Sequence, residues 1–97
     1  MSSPSRVEIK LRMDPALAKG TYCNLAAVGS TPNEFYIDFF QILAGTADAE
    51  HRCRVIATAQ FAKAFHASLG ETIRRHEELF GAVAVNPETI YTATGGN

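Results

Sequence analysis

Asp38 is the residue whose position most needs a chemical explanation. It stands in the middle of the apolar run from Phe35 to Leu43, a pattern typical of a central strand covered on both sides. A carboxylate in such a strand must accept hydrogen bonds or change its pKa. We expect Asn24 on a neighbouring strand to be its partner, so that Asp38 is a buried polar group that fixes strand register. We favour this structural role over that of a catalytic acid, because no second carboxylate, nucleophile or base is predicted nearby.

The histidines and cysteines follow no metal-binding or redox pattern. The three histidines, His51, His66 and His76, have no carboxylate or cysteine at ligand spacing. Cys23 and Cys53 lack a CxxC pairing and are predicted to be small, reduced core residues. The motifs GxxxxGK, GxGxxG, HExxH and GxSxG are absent from the sequence. The sequence therefore predicts no catalytic, cofactor or metal site, and we do not expect an enzyme.

Composition limits the class of protein. The chain has 97 residues, a formal net charge of −1 and a hydrophobic fraction of 46%. This length fits one domain, and a domain so small is marginally stable alone and often oligomerises. The near-neutral charge argues against a protein built mainly to neutralise a phosphate backbone. The sequence has neither the hydrophobic region of a signal peptide nor an apolar run long enough for a membrane span, so we expect a cytoplasmic protein.

Hydrophobic periodicity predicts four strands followed by a long helix. The strands are predicted at residues 7–13, about 21–28, 35–43 and about 50–57. Thr58 is a suitable N-cap and Gly81 a suitable C′ residue for an amphipathic helix that begins near Ala59. The predicted fold is therefore α+β, with a four-stranded antiparallel sheet and one long C-terminal amphipathic helix packed on one face (β-β-β-β-α).

The predicted domain organisation is simple. Residues 1–5 form a flexible leader and residues 6–81 a single α+β domain. Residues 82–97 form a C-terminal extension, which could include a short strand at 82–85 before a disordered end.

A hairpin around residues 29–33, with Asn24 opposite Asp38, would sort the strand residues onto two faces. One face is almost wholly apolar, and we expect the helix to cover it. The other combines aromatic, aliphatic and charged side chains, and the single helix leaves it open. Its predicted interaction residues are Tyr22, Asn24, Tyr36, Asp38, Phe40, Ile42, Arg52 and Arg54. So large an apolar patch is unusual on a monomer, so we expect this face to meet a partner.

Several short sequence words resemble a small bacterial family known only as a domain of unknown function. Together they cover residues 7–82, and they are Tyr22-Cys23-Asn24-Leu25, Glu34-Phe35, Asp38-Phe39, Arg54-Val55-Ile56, Thr58-Ala59-Gln60, Ala62-Lys63 and Phe80-Gly81. The resemblance implies a compact β-rich domain with a C-terminal helix, and it implies no activity. The chain departs from the family pattern at Ala59, where proline is usual, and at His76, where tyrosine is usual. The predicted order of elements is also similar, at the level of fold alone, to Whirly and PC4-like single-strand-binding proteins.

Three functions are compatible with an uncovered sheet face. We favour a non-enzymatic, homo-oligomeric module, a dimer, that binds a protein or assembles a complex through this face. The first alternative is a module that binds single-stranded nucleic acid, because Arg52 and Arg54 would lie among aromatic side chains. The second alternative is a chaperone-like domain that binds unfolded segments.

Overall fold

One four-stranded sheet and one long helix make up the regular structure of residues 8–92, the part of the chain that the computed structural model describes. The strands are β1 (Leu25–Ser30), β2 (Glu34–Ile42), β3 (Ala49–Thr58) and β4 (Ile90–Thr92), and the helix is α1 (Ala59–Phe80). The strand order across the sheet is β3-β2-β1-β4. The predicted α+β class is confirmed. The prediction of a wholly antiparallel sheet is wrong, because β4 runs parallel to β1.

The fourth strand comes from the C-terminal end of the described chain rather than from the N-terminal end. Residues 8–13 form no strand, and Val7 and the predicted leader lie outside the described residues. The free edge of β1 is occupied instead by β4, with Ala26 opposite Ile90. Alternation predicts a strand at 7–13, but it does not predict which other strand that segment would pair with.

The C-terminal extension also differs from its prediction. Residues 82–85 form no strand, and the strand lies at Ile90–Thr92 after a 3₁₀ turn at Pro87–Thr89. The element order is therefore β-β-β-α-β. The predicted disordered end falls largely at residues 93–97, outside the described range.

The β1–β2 hairpin forms as predicted, but its register differs by three residues. Asp38 lies opposite Ala27, not opposite Asn24. A tight turn sets this register: the Thr31 hydroxyl accepts hydrogen bonds from the Asn33 and Glu34 amides, at 3.3 and 3.1 Å. An odd-numbered shift exchanges the two faces of a strand, so β1 presents the opposite set of side chains from the set we predicted.

The limits of α1 agree with the predicted caps. Thr58 is both the last residue of β3 and the N-cap, and its hydroxyl accepts a hydrogen bond from the Phe61 amide at 3.0 Å. Gly81 ends the helix at φ 97°, a conformation that favours glycine. Arg74 forms ion pairs with Glu71 and Glu78 on the polar side of the helix. Because no loop separates β3 from α1, the direction of the strand determines where the helix begins.

The described residues enclose almost no core. Among them, Ala26 is the only buried hydrophobic residue, at 6% exposure. The radius of gyration is 16.8 Å, whereas a compact domain of this length has a value of about 12.5 Å. Helix α1 lies against the apolar sheet face as predicted but covers it only in part, and the apolar side of the helix stays about half exposed. Its large exposed side chains are Phe61, Phe65, Leu69, Ile73, Leu79 and Phe80.

Within residues 8–92, no helix has the length and hydropathy that a membrane span requires.

Candidate functional site

Strands β2 and β3 build the more polar of the two sheet surfaces. Cross-strand neighbours share a face, and the register pairs Tyr36 with Ile56 and Asp38 with Arg54. His51 lies opposite Phe40 on the same side. We call this surface the mixed face; its residues are Tyr36, Asp38, Phe40, Ile42, His51, Arg54 and Ile56.

Asp38 is the centre of the mixed face. Its two carboxylate oxygens accept hydrogen bonds from Arg54 Nε at 2.8 Å and Arg54 Nη2 at 3.0 Å, a bidentate arrangement. His51 Nε2 lies 2.9 Å from Asp38 Oδ1. The carboxylate is largely shielded, with its side chain 16% exposed, whereas the Arg54 side chain is 55% exposed. The Arg54 guanidinium, and next to it the His51 ring, hold the pKa of Asp38 below its ordinary value.

Aromatic rings flank this polar cluster on both sides. The Arg54 guanidinium lies over the Tyr36 ring, 5.6 Å from its centroid. The Phe40 and His51 rings are 5.1 Å apart. The Arg54 guanidinium therefore contacts both the Asp38 carboxylate and the Tyr36 ring. An incoming phosphate would have to compete with the carboxylate for this guanidinium.

Three of the predicted interaction residues lie elsewhere. Asn24 is not the partner of Asp38; its side-chain oxygen accepts a hydrogen bond from the Ile42 amide at 2.8 Å and extends the hairpin by one bond. Tyr22 is exposed and precedes β1. Arg52 is the extra residue of a β-bulge, where the pairing steps from Phe39–Cys53 to Phe40–His51, and it pairs with Glu50 at 3.1 Å.

The sequence-based reasoning missed several residues of this surface. His51 joins the cluster because the bulge displaces the parity of β3 by one residue. Leu25, Ala27 and Tyr91 border a shallow cavity of about 470 Å³ beside Phe40. The turn residues Thr31-Pro32-Asn33-Glu34 carried the signal that could have corrected the face of β1, because a turn fixes hairpin register.

The opposite side of the sheet carries an open depression, which we call the apolar groove. It lies between the sheet and the first half of α1 and has a volume of about 650 Å³. Its lining residues are Val28, Phe35, Ile37, Ala59, Ala62, Lys63, Phe65, His66 and Leu69. Most of these side chains are apolar, so the groove exposes surface that a stable domain normally buries.

The family model described as "Protein of unknown function (DUF3467)" matches residues 1–85 of this chain. The chain belongs to this family. The resemblance to a family of unknown function is thereby confirmed. No curated protein and no solved structure gives a significant match.

The histidines and cysteines of the DUF3467 domain stay apart. Within residues 8–92, no three His, Cys, Asp or Glu side chains come together as a group that could hold a metal ion. Cys23 and Cys53 are free thiols, as predicted, but both are exposed rather than in a core. His76 packs against Phe80, with 4.9 Å between ring centroids.

Acid is expected to weaken the DUF3467 domain partly through Asp38. Because the pKa of Asp38 is lowered in the folded state, its ionised form stabilises the fold above the unfolded value of about 3.9. This contribution is lost as the pH falls through the lower folded value. Urea unfolding between pH 7 and pH 2 should therefore show a steeper acid loss for the wild type than for Asp38→Asn.

The exposed carboxylate of Glu50 provides the control for this measurement. Glu50→Gln should keep the acid loss of the wild type, and 1 M salt should reduce the difference between wild type and Asp38→Asn, because Arg54 is half exposed. Parallel pH curves for wild type and Asp38→Asn would contradict the assigned role of the Asp38–Arg54 pair.

Proposed function

We propose that this DUF3467 domain is a non-enzymatic, homo-oligomeric protein-interaction module that functions as a dimer. The observation that supports it most is surface area. A folded chain of 97 residues is expected to expose about 5,400 Å², whereas this chain exposes 8709 Å².

The excess area is of the size that permanent dimers bury. A generous allowance of about 1,900 Å² for the residues outside 8–92 leaves about 6,800 Å². A folded domain made of residues 8–92 alone would expose about 4,900 Å², so the excess is still about 1,900 Å² per chain. Obligate homodimer interfaces bury roughly 2,000–5,000 Å² in total, so two chains that remove this excess fall within that class. A second copy therefore accounts for the open core without any other component.

The mixed face supports binding of a different protein. Tyrosine and arginine are enriched among the residues that contribute most binding energy to protein interfaces, and phenylalanine is enriched in interfaces generally. Tyr36, Phe40 and Arg54 surround Asp38 on this face. Both oxygens of Asp38 are already hydrogen-bonded to Arg54. A partner can therefore cover the cluster without leaving a carboxylate or guanidinium unpaired in the interface.

Each of the two alternative functions is supported by a feature of the structure. Single-strand binding is favoured by the partly exposed rings of Tyr36 and Phe40 and by the Arg54–Tyr36 contact, but the bond to Asp38 reduces the charge that Arg54 can offer to phosphate. A chaperone-like role is favoured by the apolar groove. The two alternatives differ in the surface they use.

Sedimentation velocity tests the homo-oligomer directly. We expect a dimer at micromolar concentration, and a stable, folded monomer there would overturn the proposal.

Capture from the native cell extract, with and without nuclease, tests the mixed face. Tyr36→Ala and Arg54→Ala should each lose a nuclease-resistant protein partner, because both remove central contacts. Arg75→Ala is the matched control, since Arg75 is an exposed arginine on the polar side of α1. Loss of the captured material on nuclease treatment would favour single-strand binding instead.

A further inference from the structure

We infer that the apolar groove of one chain is filled by helix α1 of a second copy, in a two-fold symmetric dimer. This inference rests on the proposed homodimer and specifies its interface. The sheet wall of the groove is formed by Val28, Phe35 and Ile37. The helix wall includes Phe65 and Leu69, together with Lys63 and His66.

The apolar stripe of α1 has the shape that this groove requires. Phe61, Phe65, Leu69 and Ile73 follow one another at intervals of four residues, which places them along one side of the helix. The stripe is about 18 Å long from first to last. Each of these four side chains is between 45% and 55% exposed, so each still has apolar surface to contribute to a second contact.

The rest of α1 is unsuited to enter an apolar groove. Its polar side carries ion pairs that link Glu71 with Arg74 and Arg75, and Arg74 with Glu78. Only the apolar stripe can be buried without stranding charge, so the orientation of an inserted helix is determined.

The chain does not fill the groove with another of its own described segments. Residues after the helix turn back over its far end, where Val83 and Val85 lie beside Ile73 and His76. The Val83 amide holds them there by donating a hydrogen bond to Glu77 Oε2 at 2.8 Å. This contact leaves Phe65 and Leu69 facing an open groove.

A second copy satisfies these conditions together. In a two-fold dimer the same surface serves both chains, so one helix stripe both lines its own groove and fills that of its partner. The excess of about 1,900 Å² per chain is the area that such a mutual insertion would bury. If a different protein filled the groove, the apolar stripe of α1 would not gain the reciprocal contact that a second copy provides.

Photocrosslinking identifies the occupant of the groove. The photoreactive residue p-benzoylphenylalanine replaces Phe35 in an unlabelled chain, which is refolded together with isotopically labelled wild-type chain and irradiated. We expect crosslinks to labelled peptides from residues 59–80. Crosslinks confined to its own chain, or to other labelled segments, would overturn the inference.

Matched substitutions on α1 provide a second test. Leu69→Asp should weaken dimerisation at least a hundredfold, because it places a charge in the groove. Ala67→Asp has the same effect on helix propensity but lies on the opposite side of the helix, and it should change the affinity less than threefold.

The outcomes separate the inference from the proposed function. A wild-type dimer that Leu69→Asp leaves intact would overturn the groove interface while the homodimer stands. A monomeric wild type would overturn both. If Leu69→Asp does not fold, the crosslinking result on the Phe35 position decides.

Discussion

Diluting the DUF3467 domain a hundredfold is expected to lower its free energy of unfolding by about 2.7 kcal/mol per mole of dimer. The reason is that association and folding are one reaction when the single chain has almost no interior. Ala26 is the one hydrophobic residue classed as buried within residues 8–92, so an isolated chain lacks the apolar burial that offsets conformational entropy. Urea unfolding at 1 and 100 µM, followed by circular dichroism, measures this directly.

The expected shift is large enough to detect. With a urea dependence of about 2–3 kcal/mol per M, the midpoint should fall by about 1 M between the two concentrations. A small monomeric protein carried through the same dilution provides the control and should not shift. Coincident midpoints for the DUF3467 domain would mean that the single chain is stable by itself.

Val55→Asp is expected to abolish the dimer. Val55 lies opposite Ile37, on the side of the sheet that carries the apolar groove, and is 40% exposed in the single chain. Each dimer interface would then bury two aspartates on a largely apolar surface, where Lys63 is the one lysine or arginine among the groove-lining residues of each chain. A loss of at least about 4 kcal/mol, or a thousandfold in the dimer Kd, follows for buried charges without partners. Analytical ultracentrifugation across a concentration series measures the Kd.

The next residue along β3 supplies the matched control. Ile56 is 55% exposed and lies on the mixed face, opposite Tyr36. Ile56→Asp also replaces a β-branched residue of β3 with aspartate, so the loss of strand propensity should destabilise the two variants to a similar extent. The Ile56 variant should keep the wild-type Kd and lose the protein partner. Equal loss of dimer in both variants would point to general unfolding of β3 rather than to a one-sided interface.

Local signals in the sequence predicted the helix well. The hydroxyl of Thr58, the conformational freedom of Gly81 and the four-residue spacing of apolar side chains act over neighbouring residues, and α1 begins and ends where they indicate. These features need no knowledge of distant contacts.

Features that depend on distant pairing were not predictable in the same way. The face on which each β1 side chain lies depends on a turn three residues long. An error of one residue in that turn assigns every side chain of the strand to the wrong face. β4 pairs with the edge of β1, whereas residues 8–13 of the strand predicted at 7–13 do not, and periodicity alone does not decide which segment pairs with an edge. Likewise, an amphipathic pattern predicts that one face of a helix is buried, but it does not predict whether the same chain or another chain covers that face.

The bulge at Arg52 affects how easily the outer edge of the sheet could pair with a further strand. β3 is the outermost strand of the sheet and extends over ten residues, and a flat edge of that length could recruit further strands and grow as cross-β structure. The inserted residue increases the local twist, and the charged side chains of Glu50, Arg52 and Arg54 follow one another along the strand. Such an edge is a poor template for the lateral addition of further strands.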